Sequence, residues 1–136
     1  MQLIRYHDLD NTNTRLAESL NKKQGVLPPL GLGYIASSLE KAGFEVDVID
    51  AIALALSKED VTIRIKEFNP HIVGITAMTP TIKGAFEAAE IAKNANAKNL
   101  ILIHRANFNQ ELIDNIQSIF PNTLLPNDLD IIESTK

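Results

Sequence analysis

The 136 residues contain no cysteine and no tryptophan, and the first absence is the more informative. Without a thiol this stretch holds no disulfide, no thiolate zinc site, no iron–sulfur cluster and no cysteine nucleophile. Basic clusters are missing too. Thirteen Lys and Arg against seventeen Asp and Glu leave a net charge of −4, so nucleic acid is not expected as a partner. No apolar run approaches the roughly 18 residues of a membrane span, and AIALAL at 51–56 is far too short. No membrane partner is expected. Met1–Asp10 has no basic start leading into an apolar core, which argues against a secretory leader and for a cytoplasmic location.

What is there reads as one soluble domain over residues 1–136. The hydrophobic fraction of 45% is ordinary, and a chain of this length buries about two-thirds of its unfolded surface. A long polar connection at 7–27 and a frayed tail at 126–136 are its loose parts. Gln2–Tyr6 reads as a first strand, and Leu16 and Leu20 allow a short amphipathic helix within the connection. FEVDVID (44–50) alternates as a second strand, HIVGIT (71–76) is the apolar run of a strand covered on both faces, and Asn99–Ile103 is a fourth. Thr123–Leu125 or Asp130–Ile132 supplies a fifth. Between them, Ser57 and Asp60 form a capping box for a helix burying Val61, Ile65 and Phe68. Thr79 and Pro80 start a helix with a stripe of Ala85, Ala88, Ala89 and Ala92, and a further helix runs over Phe108–Phe120.

PPLGLGYIASSLEKAGFEVDVID (28–50) matches the dinucleotide fingerprint G-x-G-x-x-A through Gly31, Gly33 and Ala36, with Asp50 where a ribose-binding acid would stand. The match is formal. That fingerprint needs a strand ending at its first glycine, and Pro28 and Pro29 cannot occupy a central strand, whereas proline suits the first turn of a helix. Leu32, Ile35, Ala36 and Leu39 then recur at helical spacing up to a closing Gly43. Gly31 and Gly33 therefore lie inside a helix, where small residues would let it approach a sheet.

Alternating strands and helices predict an α/β fold: a flavodoxin-like, Rossmann-like doubly wound parallel sheet of five strands in the order 2-1-3-4-5, with helices on both faces. Ligands of such sheets bind beyond the carboxyl ends of the strands, where strand order reverses between the first and third. That selects the 7–25 connection, the Thr76–Thr81 loop and the end of the fourth strand at His104–Asn107. Thr76, Thr79 and Thr81 put hydroxyls beside a helix N-terminus, which welcomes polar or anionic groups. Met78 between them is either a ligand contact or a lid on the core.

Metal and catalytic constellations are weaker. His7 and His104 fall at ends of strands about 10 Å apart, too far to share one ion, and His71 begins a strand at the opposite edge. Asp8 and Asp10 read as a solvated loop tip. No catalytic triad or paired carboxylate emerges, and no metal site is expected. A receiver domain would need an aspartate where Thr76 and Ala77 stand, and a flavin-phosphate loop would need a glycine that DNTNTR (10–15) lacks.

PPLGLGYIASSLEKAGFEVDVIDA, followed by NPHIVGITAMTPT and a small-residue helix, resembles the cobalamin-binding domain at the N-terminus of many radical S-adenosylmethionine enzymes, over Pro28 to Lys93. The resemblance implies that cobalamin is the cofactor. It places the corrin on the carboxyl end of the sheet over Thr76, Ala77, Met78, Thr79 and Thr81, with His104 and Arg105 at its edge. Two departures accompany it. HDLDNT (7–12) lacks the D-x-H-x-x-G pattern that brings a histidine to cobalt, an absence usual in the radical branch. His104-Arg105 stands where the family usually runs into Gly-Gly, and bulky side chains there bear on the nucleotide tail. The implied function is a cofactor-holding module, with radical chemistry left to a cysteine-bearing domain in cis or in trans. The alternatives are an interaction or regulatory domain that kept the fold and lost the ligand, and a flavin or nucleotide binder.

Overall fold

A computed structural model describes residues 1–6, 28–76, 82–103 and 109–126. They form a parallel sheet of five strands: β1 (Gln2–Arg5), β2 (Asp47–Asp50), β3 (Ile72–Thr76), β4 (Asn99–Ile103) and β5 (Thr123–Leu124). The helices are α1 (Leu30–Lys41), α2 (Lys58–Phe68), α3 (Ile82–Asn94) and α4 (Gln110–Ile119). Strand order is β2-β1-β3-β4-β5, the expected flavodoxin-like arrangement. The order reverses at β1, which pairs with β2 on one side and β3 on the other.

Two proline residues decide where the first crossover becomes helical. Pro29 occupies the N-cap of α1, and its carbonyl accepts from the Gly33 N–H at 3.1 Å. At the other end Ala42 caps the helix and Gly43 adopts φ +86°, which glycine alone enters at little cost. The Gly43 N–H donates to the Glu40 carbonyl at 2.9 Å and the Phe44 N–H to Leu39 at 3.0 Å, the paired closure of a Schellman motif. That bond commits Phe44 to the helix exit. β2 is accordingly shorter than the expected 44–50 and begins at Asp47.

The capping box of α2 is formed as expected: Ser57 Oγ accepts from the Asp60 N–H, and Asp60 Oδ2 accepts from the Ser57 N–H at 3.0 Å. Asn69, in the left-handed region at φ 49°, ends α2 just before Pro70. For α4 the cap is Asn109, whose Oδ1 accepts from the Leu112 N–H at 3.0 Å. The expected cap Thr79, Pro80, the short helix near Leu16 and Leu20, Phe108 and the 130–132 alternative for the last strand lie outside the described residues.

The sheet buries two unequal cores, because successive side chains of each strand point to opposite faces. On one face Ile4, Ile49, Val73, Ile75, Leu100 and Leu102 meet Val61 and Ile65 of α2, the alanines of α3 and Ile116 of α4. On the other, Leu3 meets Leu32 and Ala36 of α1, with Met1, Ile35, Val46, Val48 and Ile103 partly buried around them. Helices on both faces were expected. The alanine stripe also behaves as read, with Ala85, Ala88, Ala89 and Ala92 all at most 1% exposed. The reading of Gly33 is corrected: a Cβ there would meet nothing within 4 Å. α1 turns Ala36, not Gly33, toward the sheet.

Candidate functional site

The reversal of strand order at β1 leaves a crevice between the carboxyl ends of β1 and β3, where crossover chains depart in opposite directions. The register shows what faces it. Arg5 pairs with Asp50, Ile4 with Ile75, and Thr76 with Ile103. Arg5 and Thr76 each stand one step beyond the Ile4–Ile75 pair. Asp50, Arg5, Thr76 and Ile103 thus form the outermost rung of the sheet, from β2 across to β4. Their side chains share the α1 face, as Leu3 two residues before Arg5 does. One rung presents an acid, a base, a hydroxyl and an apolar group.

The charged half of the rung is a built structure. Arg5 Nε donates to Asp50 Oδ1 at 2.9 Å and Nη2 to Oδ2 at 2.5 Å, a two-pronged contact with the side chains 22% and 15% exposed. Asp50 Oδ1 also accepts from the Ala53 N–H at 3.1 Å. The acid that a dinucleotide site would aim at a ribose is therefore engaged with Arg5, 45 residues away in sequence. Gly31 and Gly33 lie in the first turn of α1, preceded by Pro28 and Pro29 and not by a strand, so the G-x-G-x-x-A match lacks the strand–turn–helix context that the fingerprint needs.

Below the rung the sheet is tightly filled. Gly74 lies in β3 on the α1 face, and a Cβ added to it would come within 2.7 Å of Ile103 Cδ1 and 2.8 Å of Leu3 Cδ2 and Met1 Cε. Only glycine lets these three side chains close over the strand. A glycine inside a Val/Ile run is the sequence signal for such an approach.

Of the expected site residues, Thr76 falls on the rung, partly buried. Ala77, Met78, Thr79, Thr81, His104 and Arg105 lie outside the described residues, as does His7. His71 stands exposed at the opposite edge, where its carbonyl accepts from Asn99 Nδ2 at 3.2 Å. Among the described residues no three of His, Asp and Glu gather to hold a metal ion, and no helix is long and apolar enough to cross a membrane. Sequence reasoning missed Arg5 altogether and weighed Asp50 only as a ribose acid. Opposite charges at the last positions of two strands expected to be neighbours were the available signal.

Grooves bounded by described residues lie elsewhere. One of about 430 Å³ runs between α2 and α3, lined by Lys58, Glu59, Glu87 and Glu90 among others. Another of about 420 Å³ lies under the amino edge, between Met1, Phe44, Phe68 and Pro70. The carboxyl edge remains the better candidate on physical grounds. Each crossover returns its next helix from there, so helix N-termini gather beside it, whereas the amino edge collects helix C-termini.

Comparison with known proteins shows the family. The family model described as B12 binding domain matches residues 20–104. An uncharacterized methyltransferase of Pyrococcus horikoshii is 42% identical over 76 residues, 56% of this chain and 16% of that protein. The anaerobic magnesium-protoporphyrin IX monomethyl ester cyclase of Rubrivivax gelatinosus is 38% identical over 73 residues, 53% of this chain and 13% of the cyclase. Cytidylyl-2-hydroxyethylphosphonate methyltransferase of Streptomyces wedmorensis is 39% identical across 37% of this chain and 12% of its own length. The chain thus spans less than a fifth of each of these relatives.

Proposed function

This chain belongs to the B12-binding domain family, whose cofactor is cobalamin, and on that premise we propose that it is the cofactor-holding module of an enzyme of the radical S-adenosylmethionine kind. The corrin lies on the carboxyl edge of the sheet, over Thr76 and the loop that follows it, and no histidine of this chain reaches cobalt. The observation that supports this reading is positional. Within the matched segment 20–104, Thr76 ends the strand beside the reversal of strand order, where sheets of this kind hold their ligands.

The outermost rung suits such a group. A corrin is broad and largely apolar, fringed by amides that need hydrogen-bond partners, and the rung offers Ile103 for the ring and the Thr76 hydroxyl for the fringe. The proposal keeps the expected contacts Ala77, Met78, Thr79 and Thr81 for the corrin, and His104 and Arg105 for its nucleotide tail. When bound, cobalamin supplies the group-transfer or radical chemistry of its cobalt. The chain's own residues bind the ring, orient it and keep water from one of its faces. Substrate and reaction belong to a partner domain, in cis or in trans, that brings the cysteines this chain lacks.

The test is a visible-spectrum titration of the purified chain with hydroxocobalamin, followed by gel filtration. Colour should travel with protein, with a spectrum lacking the bound dimethylbenzimidazole base. Complete separation of colour and protein would overturn the reading. It would favour the second one, an interaction domain that has lost its ligand, for which His104-Arg105 in place of Gly-Gly is the specific observation. Replacing both residues with glycine separates the cases: gained binding marks a degenerate site, and no gain counts against one.

A further inference from the structure

We propose that the Arg5–Asp50 pair is a positioning device for the cofactor crevice, fixing the carboxyl end of β1 and the turn that follows β2 as one rigid wall; the inference rests on the cobalamin reading above. The geometry is specific. Both carboxylate oxygens of Asp50 are held by the planar guanidinium, and Oδ1 also receives the Ala53 N–H of the turn at 51–55. That turn needs holding. Ala55 sits at φ 48°, an unfavourable region for alanine, and the turn closes through Leu54 N–H to the Asp50 carbonyl at 3.1 Å and Leu56 N–H to the Ala51 carbonyl at 2.9 Å. One carboxylate therefore ties a strained turn on β2 to the last residue of β1, beside the reversal of strand order.

A plain staple between the strands would be redundant. β1 and β2 are already joined through four registered pairs, and the Ala51 N–H donates to the Arg5 carbonyl at 3.0 Å, extending the ladder past the strand ends. A partly buried ion pair gives up hydration as well as gaining attraction, so its net contribution to the stability of such a frame is small. What the backbone ladder does not do is set the direction of the turn, and a two-pronged arginine contact does.

The test uses the full chain and hydroxocobalamin, with Arg5→Met, Arg5→Lys and Asp50→Asn. Dissociation constants are measured well below each variant's melting temperature, where circular dichroism shows the unliganded protein fully folded. A structural staple would lower the melting temperature and leave the affinity of the folded protein unchanged. A positioning pair raises the dissociation constant of Arg5→Met about tenfold, the scale on which partners that orient a site act. Arg5→Lys, which keeps the charge and loses the fork, recovers only part of it. Asp50→Asn keeps the side-chain shape and an acceptor for the Ala53 amide, so it carries the test should Arg5→Met fail to fold. Wild-type binding with every folded variant within twofold would overturn this inference alone, and absence of binding by the wild type would overturn both it and the reading beneath it.

Discussion

On one face of the sheet three helices bury Val61, Ile65, Ile116 and four alanines of α3 almost completely, whereas on the other α1 buries Leu32 and Ala36 and turns Leu30 and Tyr34 outward at 69% and 76% exposure. A helix wedged between neighbours is read on more than one side, so its small residues are demanded by packing. α1, meeting the sheet along one stripe, carries Gly33 without packing demanding it. On the α1 side it is the strand glycine, Gly74, that packing requires. The same residue type is thus idle in the helix and required in the strand that the helix covers.

Substitutions on the two faces should break this contrast in order of size. Ile65→Ala, on the three-helix face, removes a fully buried side chain from a surround that cannot collapse. It should cost about 2–5 kcal/mol in urea unfolding. Gly74→Ala, on the α1 face, should cost about 1–3 kcal/mol, because Ile103, Leu3 and Met1 must all give way. A neutral result would mean that these side chains swing aside freely. Gly33→Ala, on the outward side of α1, should instead stabilise by about 0.5–1 kcal/mol through helix propensity alone. Loss of stability there would show that a Cβ at 33 meets something.

The smallest effect sharpens the comparison through pH. The Ser57 hydroxyl, and after it the Ser57 N–H, hold the Asp60 carboxyl below the ordinary aspartate value of 3.8. A carboxyl lowered on folding stabilises the folded state above its unfolded pKa and loses that contribution as pH falls through the folded one. Ser57→Ala should therefore differ from wild type at neutral pH, and the difference should shrink as pH drops below the usual aspartate range. α1, whose proline cap has no side-chain hydrogen bond, offers no such dependence. Chemical denaturation of both proteins from pH 7 to pH 2 measures it.

The amino-acid sequence by itself determined the kind, order and approximate limits of the elements. The apolar period, the proline start of α1, its glycine close and the Ser57–Asp60 box act within a few residues of chain. It also determined the strand order, because right-handed crossovers leave few arrangements, and so the edge proposed for the cofactor. The stripe of Leu32, Ile35 and Ala36 marked the face of α1 that meets the sheet, and only the tertiary structure showed that Gly33, one residue past Leu32, stands clear of every neighbour. Gly33 was misread for that reason. The partner of Asp50 was likewise a tertiary matter: register brings Arg5 to it from 45 residues away, and no local pattern encodes register. The crowding over Gly74 has the same origin, being the convergence on β3 of side chains from Met1, from Leu3 of β1 and from Ile103 of β4.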